Sequence, residues 1–363
     1  MTKAPRVAIV HDWLVGGGAE RVVEALHELY PEAPIYTSYV TDEWRAKLDG
    51  KVITGWLQHL GFMRKFIPFL IMWWFGRLDL SKYDLVISSS GNGGAKNLRT
   101  RQDATHVCYC HAPTHYYWRH YDQYVREPGF GVFNPLARLG LRILVGPLRR
   151  WDLRASKRPN FYLANSTHTA NEIKQFYGRE ATVVTPPVDT QRFMTQNNQE
   201  RSGFITVGRL VPYKRVDLII EACNKLSVEL KVVGRGPELE KLKAMAGPTI
   251  SFHTDVSDQE MPAVMASAEA FIFAAYEDFG ITPVEAMAAG TPVIAYHAGG
   301  ALDYVTKDKT GTFFNEQTVS SLITTLGGFK AEQYNHTVIT KHAQTFSTEV
   351  FRANIQKIMK VRV

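Results

Sequence analysis

No uninterrupted apolar stretch in the 363 residues reaches the roughly 18 positions that a bilayer-spanning helix needs. The opening residues Met1 to Pro5 also lack the apolar core of a secretory signal. Neither an integral membrane protein nor a secreted one is expected. Cysteine is scarce. Cys108, Cys110 and Cys223 cannot build a disulfide framework, and an odd count suits a compartment that keeps thiols reduced, so a cytoplasmic setting is expected. There is no short-period repeat and no long low-complexity tract. The first glycine-rich turn is not G-x-G-x-x-G and no acidic residue ends a second strand about 20 positions later, which disfavours nicotinamide binding. No D-x-D carboxylate pair ends a strand to hold magnesium.

The composition, 45% apolar and 21% charged, is that of a globular chain too long for one ordinary core. The net charge of +7 is unevenly placed: residues 1–190 carry 24 Lys and Arg against 17 Asp and Glu, whereas 191–363 carry 18 of each. Long-range attraction for an anionic partner (nucleic acid, anionic lipid or a phosphorylated small molecule) therefore belongs to the first half. The bland alternative is a solvated basic surface with no partner.

Short β-branched runs alternate with amphipathic stretches, the pattern of parallel sheets wound by helices. In the second half, strands are expected at Phe204 to Val207, Leu230 to Val233, Ile250 to Phe252, Ala270 to Phe273 and Val293 to Ala295. Helices are expected at Asp217 to Lys225, Glu238 to Ala246 and Pro283 to Ala289. The first half offers strands at Val7 to Val10, Leu85 to Ile87, His106 to Cys110, Phe161 to Leu163 and Thr182 to Val184, with a helix at Glu20 to Tyr30. Pro186 and Pro187 interrupt the periodicity, since proline denies donors to a sheet and restricts its predecessor. The reading is two doubly wound α/β domains facing a cleft, residues 1–187 and 188–345, and a terminal helix within 346–363. Ligands of such folds bind outside the carboxyl ends of the strands.

Two strand-end segments carry chemistry. After the strand ending at Phe273 come Glu277, Phe279, Gly280, Ile281, Thr282, Pro283 and Glu285. Thr282 with Glu285 three residues on reads as a capping box and Pro283 as the first helical residue, so a helix is expected to start at Thr282. Its N–H groups and positive dipole end make Phe279 to Thr282 an anion site, with Gly280 allowing close approach. Glu285 as a plain helix cap is the alternative. After the strand ending at Val207, Arg209 and Lys214 supply a planar fork and a point charge suited to a diphosphate; the alternative is that Lys214 and Arg215 merely solvate the next helix.

Other features are less specific. Gly16, Gly17 and Gly18 bring backbone N–H groups toward a ligand or serve close helix packing. His106, Cys108 and Cys110 share one face of a strand, geometry for packing rather than for zinc, while His111 ends the strand on the ligand side. Two stretches could touch a membrane: Phe66 to Phe75, flanked by Arg64, Lys65 and Arg77, and the segment 136–158, where Arg138, Arg142, Arg149, Arg150, Arg154, Lys157 and Arg158 interleave with Leu136, Leu139, Leu141, Ile143 and Leu144. A buried aromatic helix and an ordinary solvated face are the alternatives.

Taken in order, Gly17, Gly18, Ala19 and Glu20, then His111, Arg209, Lys214, the run Gly234 to Glu238, and Glu277 with Glu285 in E-x(7)-E resemble the retaining glycosyltransferases of family 4 over essentially the whole chain. Tyr109 to Trp118 and Glu277 to Gly280 are similar to bacterial O-antigen and exopolysaccharide mannosyltransferases of the WbaZ type. The resemblance implies a GT-B fold, a nucleotide-sugar donor with GDP-mannose favoured, metal independence, and retention by front-side attack. It implies that Arg209 and Lys214 hold the donor diphosphate, that Glu285 binds the ribose, and that Glu277 and the Phe279 to Thr282 backbone bind sugar and phosphates. His111 would approach the sugar, and Gly17 and Gly18 would admit the diphosphate from the first domain. A lipid-diphosphate-linked acceptor at an anionic membrane, and so a peripheral inner-membrane location, would match the basic first half. Two readings compete: a nucleotide-sugar epimerase on the same fold, and a non-catalytic nucleic-acid or membrane-binding module. No recognised nucleic-acid motif accompanies the positive charge, and a nucleic-acid partner is not expected.

Overall fold

The structure, a computed structural model, describes residues 5–63, 68–91, 94–119, 121–126, 131, 134–194 and 200–362. The chain forms two compact units: the residues up to Thr185 joined by those from Arg352 onward, and Pro186–Phe351.

Seven strands of the first unit are β1 (Val7–His11), β2 (Ile35–Thr37), β3 (Val52–Ile53), β4 (Leu85–Ser90), β5 (Thr105–Cys110), β6 (Phe161–Ala164) and β7 (Ala181–Val183). They lie in the order β3-β2-β1-β4-β5-β6-β7, every pairing parallel. The second unit holds β8 (Phe204–Val207), β9 (Leu230–Val233), β10 (Ile250–His253), β11 (Ala270–Phe273), β12 (Val293–Tyr296) and β13 (Gly311–Phe314), ordered β10-β9-β8-β11-β12-β13 and again parallel throughout. Both are doubly wound sheets. Central strands such as β11 are covered on both faces, which is why they read as unbroken apolar runs. β2, β3 and β13 are not among the strands expected from the sequence.

In each sheet the strand order reverses beside the first strand, at β1/β4 and at β8/β11. The loops leaving these carboxyl ends diverge and open a crevice. The two units part between Thr185 and Pro186, and Val188 is tied to the second: its N–H donates to Phe346 O and it bridges Ser347. The last helix, Thr348–Arg362, buries Phe351, Ile355 and Met359 at four-residue spacing. From Arg352, which pairs with Glu28 at 2.5 Å, its residues count with the first unit.

One buried ion pair pins the first unit. Lys96 Nζ lies 2.6 Å from Asp152 Oδ1, both side chains being at most 1% exposed. Thr114 Oγ1 donates to the same carboxylate oxygen at 3.1 Å, and Trp118 Nε1 and Tyr177 OH each donate to the other at 2.8 Å. Four donors satisfy the anion, as a buried carboxylate requires. Burial alone would pull the Lys96 ammonium down; the adjacent carboxylate outweighs it and holds the group charged. Asp152 sits near the end of the helix Asn134–Ala155, so the pair clamps that helix to the segment following β4.

Candidate functional site

At the β8/β11 switch point the chain leaves β8 through Gly208 and Arg209 and turns through a 3-10 segment, Pro212–Lys214. The neighbouring loop after β9 has to pass very close. A Cβ on Gly234 would stand 2.0 Å from Gly208 O, and one on Gly236 2.2 Å from Leu210 O. Leu210 N–H donates to Arg235 O and Glu238 N–H to Leu210 O, which lock the two loops together. The glycines of the Gly234 to Glu238 run therefore serve backbone packing that fixes where Arg209 and Lys214 emerge.

Lys214 reaches across the switch point. Its Nζ lies 2.5 Å from Glu277 Oε1, both side chains being mostly but not fully buried. Arg209 is exposed and donates to Tyr213 OH at 3.1 Å. Arg209, Lys214 and Gly208 line a small pocket with Thr206, Val207 and Phe273, and the Lys214 ammonium stands 5.5 Å from the Phe273 ring centroid. One ammonium, one carboxylate and one exposed guanidinium thus share the carboxyl ends of two adjacent strands.

The segment after β11 departs from the expected capping box. The helix runs Ile281–Ala288 with Gly280 at its N-cap and no side-chain cap; Thr282 lies inside the first turn and Pro283 after it. Tertiary contacts set this start. Phe279 is buried against Tyr304 and Phe346. Gly280, at φ 93°, leaves room for Phe273 and Tyr304, either of which would stand 3.0 Å from an added Cβ. Gly299 and Gly300 close in on the other side, Gly300 N–H donating to Glu277 O. A glycine N-cap offers no oxygen to the first-turn N–H groups, which leaves that end suited to an anion. Glu285 is buried within this helix. The Phe279 ring is core.

In the first unit Gly17 is the N-cap of the helix Gly18–Leu29. The Glu20 carboxylate folds back over the loop, accepting from Gly16 N–H at 3.1 Å and Val15 N–H at 3.3 Å, and the absence of a Cβ on Gly17 leaves room for it. Those two donors are thus already engaged by a carboxylate. His111 follows β5. Its N–H donates to Ser90 O, its carbonyl accepts from Asn165 Nδ2 at 2.9 Å, and its Nε2 lies 2.8 Å from Ser89 Oγ. His106, Cys108 and Cys110 are buried, the two thiols among Tyr162, Ile173 and Tyr177. Burial drives the Cys108 thiol up to about 12 and the His106 imidazole down to about 3, so neither is reactive at neutral pH.

The sequence reading passed over three residues at the β1/β4 switch point: His11, Asp12 and Ser89. The Asp12 carboxylate accepts from Gly91 N–H at 2.8 Å and Ala95 N–H at 2.7 Å, holding the loop after β4. His11 Nδ1 contacts Ser89 O at 2.9 Å and Ser89 Oγ at 3.0 Å. The available signal was a run of polar residues at the carboxyl ends of two otherwise apolar strands.

In the first of the two candidate membrane segments the described side chains divide between core and surface, Leu70 being 41% exposed. In the helix Pro68–Phe75, Ile71, Met72, Trp74 and Phe75 are buried, while Trp73 is half-exposed under Arg77; Arg64, Lys65, Phe66 and Ile67 lie outside the described residues. In the second, Leu136, Leu139 and Ile143 are 70%, 55% and 64% exposed, and the helix buries no residue before Leu148.

Residues 16–192 match the family model Glycosyltransferase Family 4 and residues 187–343 the model Glycosyl transferases group 1. Over 98% of this chain and 99% of the other, the structure superposes on Anabaena HepE in complex with UDP-glucose with a TM-score of 0.69 at 18% identity. It superposes on the sucrose-phosphate synthase of Thermosynechococcus elongatus with a TM-score of 0.69 at 14% identity, covering 98% of each. The architecture is the GT-B fold. Together the two family models run from residue 16 to residue 343, the Glycosyltransferase Family 4 model followed by the Glycosyl transferases group 1 model.

Among curated relatives, a GDP-mannose-dependent alpha-(1-6)-phosphatidylinositol monomannoside mannosyltransferase of Mycolicibacterium smegmatis is 31% identical over 198 residues, 46% of this chain and 52% of that protein. An MMP alpha-(1->4)-mannosyltransferase of Mycolicibacterium hassiacum is 38% identical over 138 residues, 35% of this chain and 33% of that one. The chain thus matches about half or less of the length of these relatives.

Proposed function

We propose that the chain transfers a hexosyl group, mannose, from GDP-mannose to a lipid-diphosphate-linked saccharide acceptor in bacterial surface polysaccharide synthesis. Transfer proceeds with retention at the anomeric carbon and without a metal ion. The observation that carries this is the Lys214–Glu277 contact at 2.5 Å across the β8/β11 switch point, with Arg209 on the same pocket. Cleaving a sugar–phosphate bond leaves an extra negative charge on the diphosphate and a positive, oxocarbenium-like ring. Lys214, Arg209 and the uncapped start of the helix Ile281–Ala288 supply fixed positive charge for the first, the task a metal performs elsewhere. Glu277 gives Lys214 a partner until the diphosphate arrives, and its carboxylate then serves the sugar. Glu285 is assigned to the ribose and His111 to the transferred sugar. With the leaving phosphate oxygen accepting the proton of the acceptor hydroxyl, no protein nucleophile is needed.

The mannosyl choice is supported by the relatives described as GDP-mannose-dependent. Presentation of the acceptor at an anionic membrane surface is supported by the exposed Leu136, Leu139 and Ile143 beside Arg138 and Arg142.

A thermal-shift panel of GDP, UDP, ADP and their sugars tests the donor, because a ligand at 100 times its Kd stabilises the folded state by about 2.7 kcal/mol. GDP and GDP-mannose should stand out. Turnover of GDP-mannose with a lipid-diphosphate acceptor should survive EDTA and release GDP with an α-linked product. Stabilisation by UDP alone, loss of turnover in EDTA, or a free isomer of the sugar nucleotide as product would each contradict the reading.

A further inference from the structure

We propose that the Tyr304 hydroxyl is a further binding group of the donor site, donating a hydrogen bond to a phosphate oxygen of the nucleoside diphosphate at the start of the helix Ile281–Ala288. This rests on reading that helix start as the diphosphate site.

The helix start is short of donors. Gly280, its N-cap, brings no side-chain oxygen to the first turn. Of the first three helical residues only Ile281 and Thr282 carry an N–H, because the third is Pro283. An anion seated there meets fewer N–H groups than a helix start ordinarily offers.

Tyr304 stands where another donor is needed. It ends the short helix Ala301–Tyr304 that follows β12. The side chain is 0% exposed, and its hydroxyl has no hydrogen-bond partner among the described residues. A buried hydroxyl left unpaired is destabilising, so its presence calls for a use outside the unligated fold. The oxygen lies beside the N-cap: a Cβ on Gly280 would stand 3.0 Å from it. Phe273 links that place to the charged groups, its ring reaching to 3.0 Å of the same point and its centroid lying 5.5 Å from the Lys214 ammonium. Edge-on packing against Phe279 at 5.4 Å and a 3.0 Å contact between His342 Nε2 and the Tyr304 carbonyl fix the phenol in place. Gly280, Ile281 and Thr282 are only partly buried, so a phosphate can seat on them. With no side chain at 280, one of its oxygens can reach the hydroxyl.

The phenol also stays protonated. Burial raises its pKa well above the usual tyrosine value, and the Glu277 and Asp303 carboxylates add to the effect. A neutral O–H facing an anion makes a bond roughly twice as strong as one between neutral partners.

Tyr304→Phe removes the oxygen and keeps the ring. In calorimetric titrations of the full-length protein, the variant should bind both GDP and inorganic pyrophosphate at least about tenfold more weakly, the equivalent of one hydrogen bond to a charged group. Its melting temperature without ligand should be unchanged or higher, because no bond of the unligated fold is lost. Equal affinity of the two proteins for pyrophosphate, a lowered melting temperature, or no pyrophosphate binding by the unaltered chain would overturn the inference. Failure of the donor reading looks different: preference for UDP or ADP over GDP, or no turnover of any sugar nucleotide, together with a Tyr304-dependent pyrophosphate affinity, would reject GDP-mannose transfer and uphold the tyrosine assignment.

Discussion

Lys214 Nζ and Glu277 Oε1 lie 2.5 Å apart, joining loops that leave β8 and β11 on either side of the point where the strand order reverses. The pair gives two opposite expectations for two substitutions. Lys214→Ala removes the cation and leaves the Glu277 carboxylate facing an incoming diphosphate, so it should weaken GDP binding and lower kcat by about 10²- to 10³-fold, the cost of one charge-stabilising group. Glu277→Gln removes the competing anion, so GDP binding should be unchanged or tighter while kcat falls. Calorimetric titration with GDP beside initial rates separates the two, and equal losses of GDP affinity in both variants would refute the assigned division of roles.

Arg209 is exposed and donates to Tyr213 OH. Arg209→Ala should therefore leave the melting temperature unchanged and cut turnover by about 10²- to 10³-fold with donor in excess. Full turnover at saturating donor would remove Arg209 from the transition state.

The helix Asn134–Ala155 offers a different readout. Leu139→Asp combined with Ile143→Asp places charge on two side chains already more than half exposed, so folding should be unaffected. Flotation with vesicles containing anionic lipid should fall sharply at low salt. Equal recruitment of the variant and the unaltered chain would show that this face does not meet lipid.

The Lys96–Asp152 pair bears on stability. Lys96→Met keeps most of the side-chain volume but leaves a carboxylate buried without its cation. Such a change costs about 3–5 kcal/mol, to be measured by urea denaturation at neutral pH. A loss under about 1 kcal/mol would mean that the Thr114, Trp118 and Tyr177 donors suffice for Asp152 by themselves.

Much of the second unit was legible from residue order alone. β8, β9 and β11 fall on the bounds that the β-branched and apolar runs mark, most plainly β11, whose four residues are all apolar and buried. Arg209, Lys214 and Glu277 could be picked out as charged residues directly following such strands. The start of the helix after Glu277 could not. Thr282 and Glu285 satisfy a local capping rule, yet the packing of Phe279 into the core and of Gly280 against Phe273 and Tyr304 moves the start to Ile281.

The sequence by itself determined most of the runs that become strands, the two-unit winding, and which charges follow strand ends. These depend on burial and spacing along the chain, which each segment carries with it. Only the tertiary structure decided that Lys214 meets Glu277, that Lys96 meets Asp152, and that His11, Ser89 and His111 share one hydroxyl. Contacts between side chains on different strands depend on sheet order and register, and these emerge only when the strands pair.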